Sequence, residues 1–198
     1  MTDIMLDLET LSVRPNAAII VIGAIKFFRN GPMISMEDSE KFYRRITVKS
    51  CQEAGLRVDK ETLEWWKTQD KNVLYEALEN PDRVPLKQAL QEFTKWIGNS
   101  KYVWGNGDDF DCTILGEAFS LCGMEIPWKF FLTRDCRTLF DLAGIKKSDL
   151  PSGLEHHAIH DCYRQIVGVK RSLNTLGLDS FYKKIYNSGY YDEYKYQN

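Results

Sequence analysis

Two carboxylates, Asp7 and Glu9, stand at alternate positions of the short apolar run Ile4-Met5-Leu6-Asp7-Leu8-Glu9-Thr10. The run has the pattern of a buried strand. A strand turns successive side chains to opposite faces, so both acids share one face, with Cα atoms about 6.5 Å apart. Like charges at that spacing on a largely buried surface repel each other and lose hydration. Either one carboxyl keeps its proton or a cation lies between them. Hard carboxylate oxygens suit Mg²⁺ or Mn²⁺. An N-terminal edge strand carrying two solvated acids accounts for the same seven residues as well, and the decision falls to the rest of the chain.

A second acidic segment, Asn106-Gly107-Asp108-Asp109-Phe110-Asp111, follows a short apolar stretch and precedes a helical one. Aspartates gather at helix N-termini because the macrodipole favours negative charge there, so position alone makes none of the three a ligand. The third segment, Glu155-His156-His157-Ala158-Ile159-His160-Asp161, holds all three histidines of the chain. His156 and Asp161 would lie about 140° apart on a continuous helix. They can serve one target only if His156 sits in a loop ahead of the helix, and Pro151, Ser152 and Gly153 suit such a loop. His157 and His160 could also pair on zinc, but no cysteine ligands stand nearby.

Pattern places these groups on definite elements. Beyond the first strand, a turn with Pro15 leads into a β-branched run over residues 17–28, a central strand. Asn30-Gly31-Pro32 turns the chain toward a third strand over 41–47, completing an antiparallel meander. Asp59 can cap a helix over 60–68 that carries adjacent Trp65 and Trp66. Neighbouring residues on a helix diverge by about 100°, so one ring packs inward and the other is free to stack, unless both are core. Pro85 starts a helix whose apolar stripe runs from Leu86 to Ile97 before Gly98. Short strands at 102–104 and 130–132 alternate with helices ending at Gly123 and near Ala143, and a last helix covers 158–175. Three strands followed by alternating strands and helices make an α/β sheet flanked by helices, with sites at the strand ends.

The chain has 198 residues, 43% hydrophobic and 27% charged, the size and balance of one globular domain. No stretch approaches the roughly 18 apolar residues of a membrane span, and no basic segment precedes a signal-type core; a cytoplasmic location is the expectation. Five scattered cysteines without a C-x-x-C pair read as reduced core residues. The formal net charge of −2 provides no global basic field. Any nucleic-acid contact is therefore expected to be local, as at a chain end.

In this order, D-x-E in the first strand, N-x-x-x-F-D at a strand-to-helix turn and H-x-x-x-x-D ahead of the last helix resemble the DEDDh 3′-to-5′ exonucleases. Within that superfamily the chain is most similar to the branch of phage exonuclease A, the exonuclease VIII-like proteins and mycobacterial RNase AS. That branch also has a Thr-x-x-Trp-Trp helix, here Thr62 to Trp66, and an Arg-Asp-x-Arg-Thr segment, here Arg134 to Thr138. The resemblance spans residues 4–173. It implies a ribonuclease H-like mixed five-stranded sheet, three antiparallel strands first and parallel strands after, in an exonuclease domain over 1–176 with an appended tail over 177–198.

By the same resemblance, Asp7, Glu9, Asp111 and Asp161 hold two divalent ions, Mg²⁺ or Mn²⁺, and His156 is the general base for in-line attack of water on the terminal phosphodiester. Asp108 and Asp109 compete with Asp111 for the second motif, and His157 and His160 with His156. The implied substrate is the 3′ end of single-stranded DNA or RNA, and the product a nucleoside 5′-monophosphate. Thr10 and Leu11 occupy the place where relatives contact the terminal nucleotide through backbone and an apolar wedge. Trp65 or Trp66 offers a stacking surface, Asn106 belongs to the second motif, and Arg137 meets either a phosphate or an internal acid. No membrane partner is expected, and a homodimer is one possible assembly. A scaffold of the same fold without catalysis and a different metal-dependent phosphohydrolase are the rival readings.

Overall fold

The computed structural model describes residues 2–178, and the tail expected over 177–198 lies almost wholly outside them. Five strands form one sheet in the order β3-β2-β1-β4-β5. β1 (Asp3–Thr10), β2 (Ile19–Phe27) and β3 (Lys41–Arg45) make the antiparallel meander, with Asp7 opposite Gly23 and Glu9 opposite Val21. β4 (Val103–Gly105) and β5 (Thr133–Asp135) then add in parallel to β1 and to each other. A register shift between Glu9 and Thr10 ends the regular pairing of β1 just beyond the second carboxylate.

The period of two along β1 divides its side chains between two cores. Ile4, Leu6 and Leu8 enter the larger one, with Leu90 and Phe93 of α4 (Leu86–Ile97) and Leu115 and Phe119 of α5 (Asp108–Leu121). Met5 enters the smaller one, with Cys136 of α6 (Cys136–Ala143) and Ile159, Cys162, Ile166 and Val169 of α7 (Ala158–Thr175). Asp7 and Glu9 continue the Met5 face. Gly23, the pairing partner of Asp7, lets the helix close in, because a Cβ there would stand 2.4 Å from the Cβ of Ala158. The first turn of α7, with Asp161, thereby lies directly over the acidic end of β1.

Three expectations are corrected. Residues 130–132 form a 3₁₀ turn, and the strand begins only at Thr133, because pairing with Val103 starts there. The second strand begins at Ile19, since Ala17 makes only an isolated bridge to Arg57. Asp59 precedes α2 (Lys60–Trp66), but its side chain makes no cap; it accepts hydrogen bonds from Ser12 and Arg57 instead. Short helical pieces also appear where pattern gave no signal, at Val48–Glu53 and from Lys71 through a π-helical segment to Glu79. Pieces of this length complete too few turns to show an apolar stripe. All five cysteines are free, and four are buried. Among the described residues no helix is long and apolar enough to cross a membrane.

Candidate active site

A cavity of about 810 Å³ opens at the ends of β1 and β4, lined by Asp7, Glu9, Thr10, Asn106, Asp111, His156 and Asp161 among others. Carboxylate oxygens of Asp7, Glu9 and Asp161 lie within 4.8 Å of one another. Asp111 stands beside this trio rather than in it. Its Oδ1 accepts the backbone N–H of Leu8 at 3.1 Å, which ties the start of α5 to β1 between the two strand carboxylates. Asp108 is half-buried, Asp109 is exposed, and neither lines the cavity; Asp111, 4% exposed, does. Asp109 points away from the sheet, whereas Asp108 lies one turn before Asp111 on a neighbouring side, and it is Asp111 that meets β1 through the Leu8 N–H.

The electrostatics are those of crowded anions. Lost hydration, followed by the charges of Asp111, Glu9 and Asp161, holds the Asp7 carboxyl well above its ordinary range. Burial, then Asp161 and Asp111, does the same to Glu9. Burial pushes Asp111 up to about 7, against the downward pull of the Leu8 N–H and the Arg137 charge. Asp7 Oδ1 accepts from Gln165 Nε2 at 2.9 Å, and Asp161 is paired with Arg164. Glu9 Oε1 is buried with no hydrogen-bond partner. Hard oxygens from three residues converging within reach of one ion, one of them buried and unsatisfied, fit a divalent cation.

His156 lies in the loop ahead of α7, as pairing with Asp161 requires, in left-handed backbone conformation at φ 60°. Its ring packs edge-on against Trp65, with centroids 4.8 Å apart. His157 stacks on Tyr43 and meets His160, and neither belongs to the carboxylate trio. The two tryptophans divide as helical geometry demands: Trp65 is 42% exposed at the cavity, while Trp66 is buried and donates its Nε1–H to the carbonyl of Thr10. Trp66 therefore braces the backbone just after Glu9, leaving Trp65 as the exposed ring.

The apolar wedge expected of Leu11 is not presented to the cavity. Its side chain is 1% exposed in the larger core, its N–H donates to Ala18 and its carbonyl accepts from Asp59. Val13, which also lines the cavity, is 72% exposed. Thr10 lines the cavity, although its hydroxyl donates to the Ser12 carbonyl. Arg137 forms no ion pair among the described residues; its guanidinium lies against Gly107, whose φ of 96° and lack of Cβ leave room for it. Asp135 sets that arrangement by accepting the N–H groups of both Gly107 and Arg137. Pattern reading missed Gln165 and Arg164, although both sit one turn beyond Asp161 on the same helical face, at i+4 and i+3.

The mixed five-stranded sheet, with Asp-x-Glu on its first strand, an aspartate on the helix after β4, and histidine and aspartate ahead of and within the last helix, is the arrangement that the sequence resemblance to the DEDDh 3′-to-5′ exonucleases implies. A family model described as the 3'-5' exoribonuclease Rv2179c-like domain matches residues 2–173, and the chain belongs to that family. It is 26% identical over 212 residues to the exodeoxyribonuclease of Enterobacteria phage T4, covering 90% of this chain and 92% of that protein. Solved structures share the fold at lower identity. The zinc-bound E. coli ExoI–ssDNA complex has TM-score 0.64 at 16% identity, over 91% of this chain but only 42% of that one. The nuclease domain of 3'hExo bound to rAMP, a DEDDh family member, has TM-score 0.53 at 11% identity, over 90% of this chain and 94% of that one.

Proposed function

We propose that the protein removes nucleoside 5′-monophosphates one at a time from the 3′ end of single-stranded nucleic acid, in a reaction that requires divalent metal. The convergence of Asp7, Glu9 and Asp161 within 4.8 Å, in a cavity that also holds His156, carries this reading. Asp7, Glu9 and Asp161, with Asp111 beside them, would hold Mg²⁺ or Mn²⁺. The chemistry those ions supply when bound is Lewis-acid stabilisation of the phosphoryl oxygens and a more acidic water.

The chain's own groups do the rest. His156, in the loop ahead of α7 and lining the cavity, takes the proton from the attacking water. Trp65 stacks on a terminal base, a contact worth about 1–3 kcal/mol that is tolerant of sequence. Arg137, held against Gly107 at the N-terminus of α5 and in no ion pair among the described residues, offers a forked donor to a phosphate. Buried Trp66 keeps the backbone after Glu9 in place.

The family description names exoribonucleases and the phage T4 relative is an exodeoxyribonuclease, so the deciding assay runs both sugars. Matched 5′-labelled RNA and DNA strands are incubated with Mg²⁺ or Mn²⁺. A ladder that shortens from the 3′ end, released mononucleotides and resistance of strands blocked by a 3′-phosphate are expected. Circular single strands cut as fast as linear ones would overturn the proposal.

A further inference from the structure

Arg164 sits one turn beyond Asp161 on α7, and its Nη2–H donates to Asp161 Oδ1. On its other side Nη1 is 3.9 Å from Glu155 Oε1, and that same oxygen is 2.8 Å from Lys147 Nζ. Arg164 and Asp161 each keep only 15% of their side-chain exposure, and both line the cavity. A cation thus already occupies an oxygen of one of the three carboxylates able to converge on a metal ion.

Two demands on this place conflict. A divalent ion held by Asp7, Glu9 and Asp161 needs the lone pairs of Asp161 and repels a guanidinium in contact with it. A polyanionic strand entering the same cavity needs a planar, forked donor for a phosphate, and arginine matches that geometry. A long side chain rooted on a rigid helix can meet both demands in turn, by leaving the carboxylate for the strand.

We propose that Arg164 is an exchangeable counter-ion: it neutralises Asp161 while the carboxylates lack metal, and turns to a backbone phosphate of the substrate when a divalent ion replaces it. The inference rests on the exonuclease reading of this cavity. It makes metal and strand binding mutually reinforcing, since each draws Arg164 toward the arrangement that favours the other. Arg137, whose guanidinium lies against Gly107, forms no ion pair with Asp161 and has no such coupling.

The test is calorimetric titration of the full chain with Ca²⁺, alone and with a short single-stranded oligonucleotide of the sugar type it degrades. Wild type is compared with Arg164→Met, which keeps the aliphatic stem, and Arg164→Lys, which keeps the charge. Arg164→Met is expected to bind Ca²⁺ alone about 5- to 10-fold more tightly than wild type. It should bind the oligonucleotide more weakly, with a salt slope smaller by about 0.7, the loss of one phosphate contact. Arg164→Lys should leave Ca²⁺ affinity near that of wild type while weakening the strand.

Weaker Ca²⁺ binding by Arg164→Met would show that the arginine merely orients Asp161, and overturns the inference. An unchanged salt slope overturns it as well. In either case a wild type that binds ion and strand leaves the exonuclease reading standing, whereas a wild type that binds neither overturns both. If Arg164→Met fails to fold, Arg164→Lys decides alone: tighter Ca²⁺ binding or undiminished strand binding by that variant is the overturning result.

Discussion

The two faces of β1 use adjacent residues for opposite purposes. Toward α4 and α5, Ile4, Leu6 and Leu8 are 6% exposed or less and pack against aliphatic and aromatic side chains. Toward α7, apolar packing stops after Met5, and Asp7 and Glu9 take over where Asp161 and Asp111 also arrive. One face supplies burial that holds the strand in place. The other accumulates like charge that is relieved by raised carboxyl pKa values and by contacts to Gln165, Arg164 and the Leu8 N–H. The apolar face makes the acidic face possible, since repelling carboxylates stay together only on a backbone that other contacts fix.

Removing the ion attacks the acidic face alone and carries the largest expected effect. Excess EDTA should abolish nucleotide release with the fold intact by circular dichroism, and Mg²⁺ or Mn²⁺ should restore it. Asp7→Asn should likewise reduce turnover to near background. The metal-free variant should melt no lower than wild type, since it loses a repelling charge and keeps an oxygen to accept the Gln165 N–H.

His156→Ala tests the proposed general base, which stands in the loop ahead of α7. Turnover should fall roughly 10²–10⁴-fold, while the rise in melting temperature on adding Mn²⁺ stays close to that of wild type. Equal losses in His157→Ala, whose ring packs on Tyr43, would reassign the base.

Leu6→Ala is the mirror image of Asp7→Asn, one residue away. It should cost about 2–5 kcal/mol in denaturant unfolding, the range for a deleted core leucine. Activity per folded molecule should be preserved when assayed well below the lowered melting temperature. Trp65→Ala is smaller again: an exposed ring contributes little to the core, so stability should change by under about 1 kcal/mol. KM should rise on the order of 5- to 100-fold as stacking worth about 1–3 kcal/mol is lost.

The finest comparison is in pH. A carboxyl whose folded pKa is raised binds extra protons in the folded state, so its favourable contribution is complete below the unfolded value and is lost as pH rises through the folded one. For Asp111 that window runs from the ordinary value of 3.8 to about 7. Metal-free Asp111→Asn should therefore lose less melting temperature than wild type between these limits, and saturating Mg²⁺ at neutral pH should shrink the difference. Parallel melting curves for the two proteins across this range would contradict the assignment.

Much of the site was legible because its signals are local. Alternation on a strand put Asp7 and Glu9 on one face from seven residues, and a five-residue spacing forced His156 into a loop if it was to work with Asp161. The meander, the stripe of α4 and the extent of α7 rest on the same periodicities. Other features depended on what each element packs against, which no local period encodes. The N-x-x-x-F-D motif pointed to Asp111, and the sheet contact gives the physical reason; only the brace to Thr10 separates Trp66 from exposed Trp65. The side chain of Leu11 lies in the core, with its backbone bonded to Ala18 and Asp59, and Arg164, which carried no sequence signal, reaches the cavity because Gly23 admits α7 against β1. Side-chain direction along an element follows from covalent geometry; which directions meet across elements is decided only when distant segments pack.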